Sequence, residues 1–231
     1  MKLAIMQPYF FPYIGYFQLI NAVDKFVFYD DVNYINRGWV NRNRILINNK
    51  ANYITVQLIE ASQNKPINEI KISNNRQKIK KTIEMAYKKA PFFDQAFPVI
   101  EACLDYETNK ISELAIKTVM EVSNYLGINT SFEVSSQQYA DTKGLQRAAR
   151  LMAICKNADA QTYVNAAGGR DLYSKEDFEN EGLSMFFIKP EIPVYIQYDG
   201  KTFVPELSII DVMMFNPVKK IAEMLNDYEL E

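Results

Sequence analysis

The residues best suited to bind a charged ligand are concentrated between positions 37 and 44. Three arginines, two asparagines and the single tryptophan form the candidate set Arg37, Trp39, Asn41, Arg42, Asn43 and Arg44. A guanidinium group is a planar fork that matches phosphate and carboxylate oxygens. In an extended segment Arg42 and Arg44 share one face, with Asn41 and Asn43 on the other. The alternative is a solvated polar hairpin, which Trp39 disfavours because an indole ring is costly to leave in water.

Two adjacent carboxylates, Asp30 and Asp31, follow an apolar run at residues 26–29. If that run is a strand, both lie at the edge of the sheet where ligands bind. One of them could hold a magnesium ion or accept a proton from an attacking amine. A helix or turn cap is an equally good explanation of the pair, and both alternatives stay open.

Residues 7–16, with the sequence QPYFFPYIGY, lie between an apolar run and a helical pattern. This position in a strand–loop–helix unit is where phosphates and other ligands bind in open α/β sheets. The binding candidates are Gln7, Tyr9, Tyr13 and Gly15, and Tyr16 joins Asp30 and Asp31 as a catalytic candidate. Gly15 would let a ligand approach the backbone. The alternative is that two prolines shape a turn whose aromatic rings cover the edge of the core.

Two further groups of candidates lie in the second half of the chain. Gly168 and Gly169, with Arg170 and Asp171 after them, could form a backbone nest for an anion, although turns often use paired glycines. Ser208 and Asp211 fit a helix capping box, which favours a structural role. The same helix start exposes N–H groups that could bind a phosphate.

Composition excludes several classes of chemistry. The chain has 231 residues, no histidine and two cysteines, so histidine-dependent triads and histidine–metal clusters are absent; we assign no metal ligands. With 26 basic and 28 acidic residues the net charge is −2, and we expect neither nucleic acid nor an anionic membrane as a partner. Without a signal peptide or an apolar run of about 20 residues, we expect a cytoplasmic protein with no membrane span.

Hydrophobic periodicity predicts the elements that position these candidates. Apolar runs at residues 2–6 and 26–29 enclose a helical pattern, and such a strand–helix–strand unit implies a parallel pair. Two segments around residues 48–50 predict a hairpin, and residues 67–72, 131–135, 161–165 and 185–188 predict further strands. We therefore predict one α/β domain over residues 1–231, in which helices flank a mainly parallel, Rossmann-like sheet with a small β-hairpin insertion. A subdivision near residues 127–130 is the alternative.

The run MQPYFFPYIGYFQLINAVDKFVFYDDVNY, followed by RGWVNRNRI, resembles the opening of the WbqC-like family. The later segments YVNAAGGRDLY and ELSIIDVMMFN resemble its second half, so the resemblance covers essentially the whole chain. Members of that family are encoded with bacterial surface-polysaccharide (O-antigen) genes. The resemblance implies modification of an amino sugar, with transfer of glycine to a sugar amine as the proposed reaction.

The segment Tyr13-Ile14-Gly15-Tyr16 also has a distant likeness to the H-x-G-H signature of pantothenate synthetase and other nucleotidyl transferases. Gly15 matches that signature, whereas tyrosines replace both histidines. A tyrosine hydroxyl donates a hydrogen bond but carries no positive charge at neutral pH. Positive charge for a transferring phosphate would then come from the arginines, and the use of ATP and magnesium stays open.

Two functions follow from these observations. The first is an enzyme that joins glycine or a similar amino acid to the amine of a nucleotide-linked amino sugar. The second is a non-catalytic protein that binds a nucleotide sugar or acts as a scaffold in the same pathway. The missing histidines favour the second, whereas aspartate, arginine and tyrosine at predicted strand ends favour the first. The sequence does not disclose the sugar, the amino-acid donor or the oligomeric state.

Overall fold

A computed structural model describes residues 1–145, 147–170, 173–198, 200 and 202–231 of the chain. The strands are β1 (Lys2–Met6), β2 (Lys25–Phe28), β3 (Arg42–Ile47), β4 (Lys50–Thr55), β5 (Leu58–Ile59), β6 (Lys71–Ile72), β7 (Ser131–Val134), β8 (Thr162–Ala166), β9 (Ser184–Pro190) and β10 (Tyr228–Leu230). The α-helices are α1 (Ile14–Asn21), α2 (Arg76–Tyr87), α3 (Phe93–Asp105), α4 (Ile111–Tyr125), α5 (Ser135–Gln138), α6 (Arg147–Asn157), α7 (Lys175–Asn180), α8 (Ile209–Phe215) and α9 (Val218–Met224).

A mainly parallel sheet forms the centre of the fold. Its strand order is β10-β9-β8-β1-β2-β7, and every neighbouring pair is parallel except β9 with β10. The strands β3 and β4 form a separate antiparallel hairpin. The predicted α/β class, the adjacent parallel strands β1 and β2, and the hairpin insertion are therefore confirmed. None of the helices that the structure describes is long and apolar enough to cross a membrane.

The direction of the chain through the sheet reverses beside β1. From β1 the chain moves to β2 and β7 on one side, and it then returns to β8 and β9 on the other. In open α/β sheets, the crevice beyond the carboxyl ends of the strands at such a reversal is where ligands bind. The ends of β1 and β8 therefore indicate the place to look for a site.

Alternate residues of the central strands pack into two hydrophobic clusters. Ala4, Phe26, Phe28, Val164 and Ile188 belong to the first cluster, which contains α1–α4, α8 and α9. The second cluster contains α6 and α7 and takes in Leu3, Ile5, Val27, Tyr163 and Phe187. Because side chains alternate between the two faces of a strand, helices cover both faces of the sheet, as buried parallel strands require.

Several elements differ from the sequence-based prediction. Residues 67–72 form a 3₁₀ turn (Ile67–Glu69) before the two-residue strand β6, rather than one strand. Helix α3, which contains Pro98, is not among the elements predicted from the sequence. The edge strand β10 was also missed, because three residues contain too little periodicity.

Candidate functional site

The loop between β1 and α1 is held by side chains from distant elements. Asn43 Nδ2 donates to the carbonyl oxygens of Phe10 (3.2 Å) and Phe11 (2.7 Å). Ser208 Oγ donates to the same Phe11 oxygen at 2.7 Å, and Thr118 Oγ1 accepts from Phe11 N at 3.1 Å. These bonds hold Phe11 at a φ of 41°, which is uncommon for a residue with a side chain. Side chains of three distant segments thus fix the conformation of the loop.

A cavity of about 230 Å³, here called the arginine cavity, opens beside this loop. It is lined by Tyr9, Pro12, Tyr13, Trp39, Asn43, Arg44 and Glu206. Arg44 Nη2 donates to the main-chain oxygen of Glu206 (3.0 Å) and lies 3.4 Å from its carboxylate. Arg44 Cζ lies 5.7 Å from the centre of the Trp39 ring. The cavity therefore combines one cation, one anion and aromatic walls.

The Arg44 guanidinium retains hydrogen-bonding capacity. Its Nε is buried and has no partner among the described residues. The Glu206 side chain is 64% exposed, so its ion pair with Arg44 is a weak surface interaction of about 0–1 kcal/mol. An incoming carboxylate can therefore compete for Arg44 at little cost.

Arg42 and Arg37 occupy different positions from Arg44. Arg42 Nε donates to the oxygen of Gly38 at 3.2 Å, and its Nη2 donates to the oxygen of Arg37. Its guanidinium also lies 4.6 Å from the centre of the Tyr53 ring. Arg37 is exposed, with a φ of 60°. Arg42 thus fastens the turn before β3, and neither arginine lines the cavity.

The predicted alternation along β3 is present in the structure. Asn41 and Asn43 are buried, whereas Arg42 and Arg44 are half-buried on the other face. Asn41 accepts from the Tyr34 hydroxyl at 2.9 Å and donates to the oxygen of Val56 at 2.9 Å. Asn41 therefore connects the loop before β3 to the end of β4, and Asn43 alone of the two asparagines reaches the arginine cavity.

Asp30 and Asp31 have protein partners on their carboxylates. Asp30 accepts from Ser136 N (3.0 Å) and Ser136 Oγ (2.8 Å), so it caps the start of α5. Asp31 accepts from Ser135 Oγ and forms an ion pair with Arg150, both at 2.5 Å. Neither aspartate lines the cavities described here. Within the described ranges, no three acidic or cysteine side chains form a group that could hold a metal ion.

Tyr16 and Gly15 line a smaller cavity of about 110 Å³, together with Tyr9, Tyr13 and Gly168. The Tyr16 hydroxyl donates to the oxygen of Gln7 at 2.8 Å. A Cβ on Gly15 would lie 2.5 Å from Tyr13 Cε2, so the glycine leaves room for the Tyr13 ring. Burial raises the pKa of Tyr9 and Tyr13 and raises that of Tyr16 well above its usual value. All three phenols are therefore neutral at physiological pH.

A third cavity, of about 410 Å³, lies at the carboxyl ends of β1 and β8 and is here called the switch-point cavity. Gln7, Tyr9, Gly168 and Gly169 line it, as does Asn165. Asn165 is 6% exposed, and its Nδ2 has no partner among the described residues. This cavity occupies the crevice that the strand order indicates.

Arg170, Ser208 and Asp211 contact protein groups rather than a cavity. Arg170 pairs with Glu231 and lies over the Phe187 ring, and Asp171 lies outside the described residues. Ser208 Oγ caps α8 by accepting from Ile210 N at 3.3 Å. Asp211 accepts from three donors, the Tyr87 hydroxyl (2.8 Å), the Tyr195 hydroxyl (2.7 Å) and Gln197 Nε2 (2.7 Å).

Three neighbouring cavities that share Tyr9 therefore collect part of the predicted site. They bring together Gln7, Tyr9, Tyr13, Gly15, Tyr16, Trp39, Asn43, Arg44, Gly168 and Gly169. They do not include Asp30, Asp31, Arg37, Asn41, Arg42, Arg170, Ser208 or Asp211. Two further lining residues, Glu206 and Asn165, are not among the site residues predicted from the sequence. The signal for Asn165 is an asparagine near the end of a buried apolar strand, three residues before two glycines.

Comparison with known proteins gives the following matches. The model of the WbqC-like protein family matches residues 7–223. The uncharacterized protein Rv1507c of Mycobacterium tuberculosis is 29% identical over 230 residues, which cover 93% of each chain. No solved structure matches the chain. The likeness of residues 13–16 to the nucleotidyl-transferase signature is not confirmed by these comparisons.

Proposed function

Because the chain belongs to the WbqC-like protein family, we propose that it is an enzyme of surface-polysaccharide biosynthesis that transfers glycine or a similar amino acid to the amine of a nucleotide-linked amino sugar. In this reaction the amine nitrogen forms a bond to the acyl carbon of the amino acid. The bond from that carbon to its leaving group breaks, and the nitrogen loses a proton. The product is an amide.

The observation that carries this proposal is the pairing of Arg44 with Glu206 inside the arginine cavity. An amino acid carries one carboxylate and one ammonium group a few bonds apart. Arg44 offers a guanidinium whose buried Nε has no partner within the described ranges, and Glu206 offers an exposed carboxylate 3.4 Å from Arg44 Nη2. Insertion of the amino acid between them would replace one weak ion pair with two charge-assisted hydrogen-bonded contacts.

The size and walls of the cavity agree with this ligand. Its volume of about 230 Å³ lies below the roughly 300–1,000 Å³ of pockets for drug-sized ligands. The cavity walls include the aromatic rings of Tyr9, Tyr13 and Trp39, on which the apolar C–H face of a sugar ring can pack. The cavity therefore suits a small amino acid beside the amine-bearing edge of a sugar.

Activation of the amino acid is a separate requirement. A free carboxylate needs activation, for example as an acyl-adenylate formed from ATP, unless an activated donor is supplied. Asp30 and Asp31 do not fit a magnesium site in this arrangement, since Ser135, Ser136 and Arg150 already bind their oxygens. In the proposed reaction the Glu206 carboxylate, which lines the arginine cavity, would accept the proton of the sugar amine.

The proposal is tested by glycine binding and by product formation. We expect calorimetry to show that Arg44→Met weakens glycine binding by about ten- to a hundredfold, the equivalent of about 1.5–3 kcal/mol for a hydrogen bond to a charged group. Arg44→Lys should recover only part of this loss, because an ammonium group lacks the planar fork. With nucleotide-linked amino sugars, glycine and ATP, mass spectrometry should detect a glycyl adduct, and chromatography should detect AMP.

Arg42→Met is the matched control, because Arg42 lies on the same strand and face but binds the 37–38 turn. Glycine binding by this variant should equal that of the wild type. A loss at Arg42 with no loss at Arg44 would contradict the assignment of the amino acid to the arginine cavity.

A non-catalytic nucleotide-sugar-binding protein is the second candidate. It is favoured by one observation, which is that Asp30, Asp31 and the Tyr16 hydroxyl all have protein partners. Binding of a nucleotide sugar with neither adduct nor AMP, for an activated glycyl donor as well as for free glycine, would select this second function.

A further inference from the structure

Asn165, which lines the switch-point cavity, carries a buried donor that has no partner in the part of the chain that the structure describes. Its Oδ1 accepts from Ala166 N at 2.9 Å, which fixes the orientation of the carboxamide. Asn165 lines the cavity, and its buried Nδ2 has no acceptor among the described residues. Since buried polar groups in native proteins are nearly always hydrogen-bonded, this donor indicates a ligand with an acceptor atom.

We propose that the switch-point cavity binds a nucleobase, with Asn165 Nδ2 donating a hydrogen bond to a carbonyl oxygen or ring nitrogen of the base. This inference goes beyond the proposed reaction and rests on the proposed function only in taking the base to be part of the nucleotide sugar.

The absence of a side chain at Gly169 is a second observation, because it leaves room for the carboxamide of Asn165. A Cβ at position 169 would lie 2.2 Å from Asn165 Nδ2 and 3.0 Å from its Cγ. Any larger residue would therefore displace the carboxamide. Because Gly169 is buried and does not have a positive φ, backbone conformation does not require glycine there. The glycine is needed for the space that Asn165 occupies.

The walls of the cavity select an uncharged, planar ligand. Tyr9, Tyr29, Tyr163 and Tyr173 line it together with aliphatic side chains, and no charged side chain is among its described lining residues. Burial is the main cause that raises the pKa of each of these tyrosines, so their hydroxyls remain neutral. A phosphate or carboxylate would lose its hydration without gaining a cation. An aromatic ring would gain contacts with the tyrosine walls instead.

Gln7 supplies the remaining hydrogen-bonding capacity. It lies directly after β1 and lines the cavity, and its side chain has no hydrogen-bond partner among the described residues, whereas its main-chain oxygen accepts from the Tyr16 hydroxyl. A free carboxamide both donates and accepts, as the edge of a base requires. The volume of about 410 Å³ is within the range of small-molecule sites. Tyr9 separates this cavity from the arginine cavity, so a nucleotide sugar bound here would extend toward Arg44.

The test is binding of free nucleosides, which contain neither phosphate nor amino sugar. Calorimetry with uridine, cytidine, adenosine and guanosine should show saturable binding of at least one of them, and D-ribose should not bind. Asn165→Asp keeps the shape of the side chain but replaces the donor with an oxygen. We expect it to weaken binding at least tenfold. Gly169→Ala should weaken binding similarly by moving the carboxamide.

The matched control is Asn64→Asp, which adds the same charge at an exposed loop position and should bind the nucleoside as the wild type does. Circular dichroism will show whether the variants fold. If Asn165→Asp does not fold, Gly169→Ala and a crystal of the wild type soaked with the bound nucleoside decide the question. Failure of all four nucleosides to bind, or a base located elsewhere, would overturn the inference. Nucleoside binding without glycyl transfer would leave it standing and contradict the proposed reaction.

Discussion

Asp211 illustrates how partners distinguish a structural residue from a ligand-binding one. It is fully buried, yet its carboxylate accepts from Tyr87, Tyr195 and Gln197. Arg44 Nε and Asn165 Nδ2 are also buried but have no partner among the described residues. A satisfied buried group holds the fold together, whereas an unsatisfied one beside a cavity indicates a ligand. Residue type alone does not separate these cases.

The stability of the protein should depend on the ionisation of Asp211. Burial raises the pKa of Asp211, and the three hydrogen bonds lower it. The effect of burial is the larger, so the pKa lies above its ordinary value of 3.8. Between these two pKa values the native state binds more protons than the unfolded state, so the free energy of unfolding falls as pH rises. Asp211→Asn should remove this component of the pH dependence. Urea unfolding from about pH 4 upward measures it.

The same variant should lower stability at every pH, because an asparagine Nδ2 would face the donors Tyr195 and Gln197. The expected loss is about 1–3 kcal/mol, the cost of leaving buried donors unpaired. Asn216 provides a comparison, because it is buried and its Nδ2 donates to the oxygen of Val212. In Asn216→Asp a carboxylate oxygen would face that carbonyl oxygen, so two acceptors rather than two donors would meet. An unchanged pH dependence in Asp211→Asn would contradict the role assigned to this carboxylate.

At the scale of elements, the end of β2 is fastened to two helices. Asp30 caps α5, and Asp31 pairs with Arg150 on α6, whose side chain is 6% exposed. Arg150 also lies 4.8 Å from the centre of the Tyr29 ring and donates to Thr142. These contacts fix the wall of the switch-point cavity that Tyr29 provides. The two aspartates therefore have a positioning role: Asp31 holds Arg150, and Arg150 in turn contacts the Tyr29 ring in the wall of the cavity.

The Asp31–Arg150 pair should be costly to break from one side. Arg150→Met leaves a buried carboxylate without its cation, and we expect the free energy of unfolding to fall by about 3–5 kcal/mol. The double variant Asp31→Leu/Arg150→Met should recover much of this loss, because Ser135 Oγ can still donate to Asp30 at 3.1 Å. Urea unfolding of both variants measures the difference.

Lys156→Met is the control for this experiment. Lys156 lies on α6, as Arg150 does, but its ion pair with Glu181 is exposed. Exposed pairs contribute about 0–1 kcal/mol, so its effect should be small. An Arg150→Met variant no less stable than Lys156→Met would show that the buried pair does not hold α6 to β2.

The elements that sequence could predict are those specified by their own residues. The β1–α1–β2 unit follows from two apolar runs and a helical pattern within thirty residues. Residues 67–72 have similar local character, but Ile67 N bonds to the oxygen of Val32 and Ile72 N bonds to that of Asn109. Contacts with distant segments therefore split residues 67–72 into a 3₁₀ turn and a short strand. Strand β10 likewise depends on β9, about forty residues away.

At the scale of the whole molecule, the candidate site joins segments that are distant in sequence. The rule that ligands bind at strand ends predicted the loop after β1 and the glycines after β8. It could not predict that Glu206 would meet Arg44, 162 residues away, or that the chain would reverse beside β1. Those features depend on strand order and on the position of the β3–β4 hairpin, which no local pattern specifies.

The two hydrophobic clusters should unfold together, as the prediction of a single domain requires. Strands β1, β2, β8 and β9 contribute alternate residues to both clusters, so neither can lose its sheet alone. Ile20→Val in the first cluster and Ile154→Val in the second should each cost about 0.5–1.5 kcal/mol. Both variants should shift one transition, with the same midpoint by Trp39 fluorescence and by far-ultraviolet circular dichroism. The main-chain oxygen of Trp39 accepts from Phe10 N, and Phe10 belongs to the first cluster. A shift that Ile154→Val causes in circular dichroism but not in fluorescence would therefore show two independently folding units.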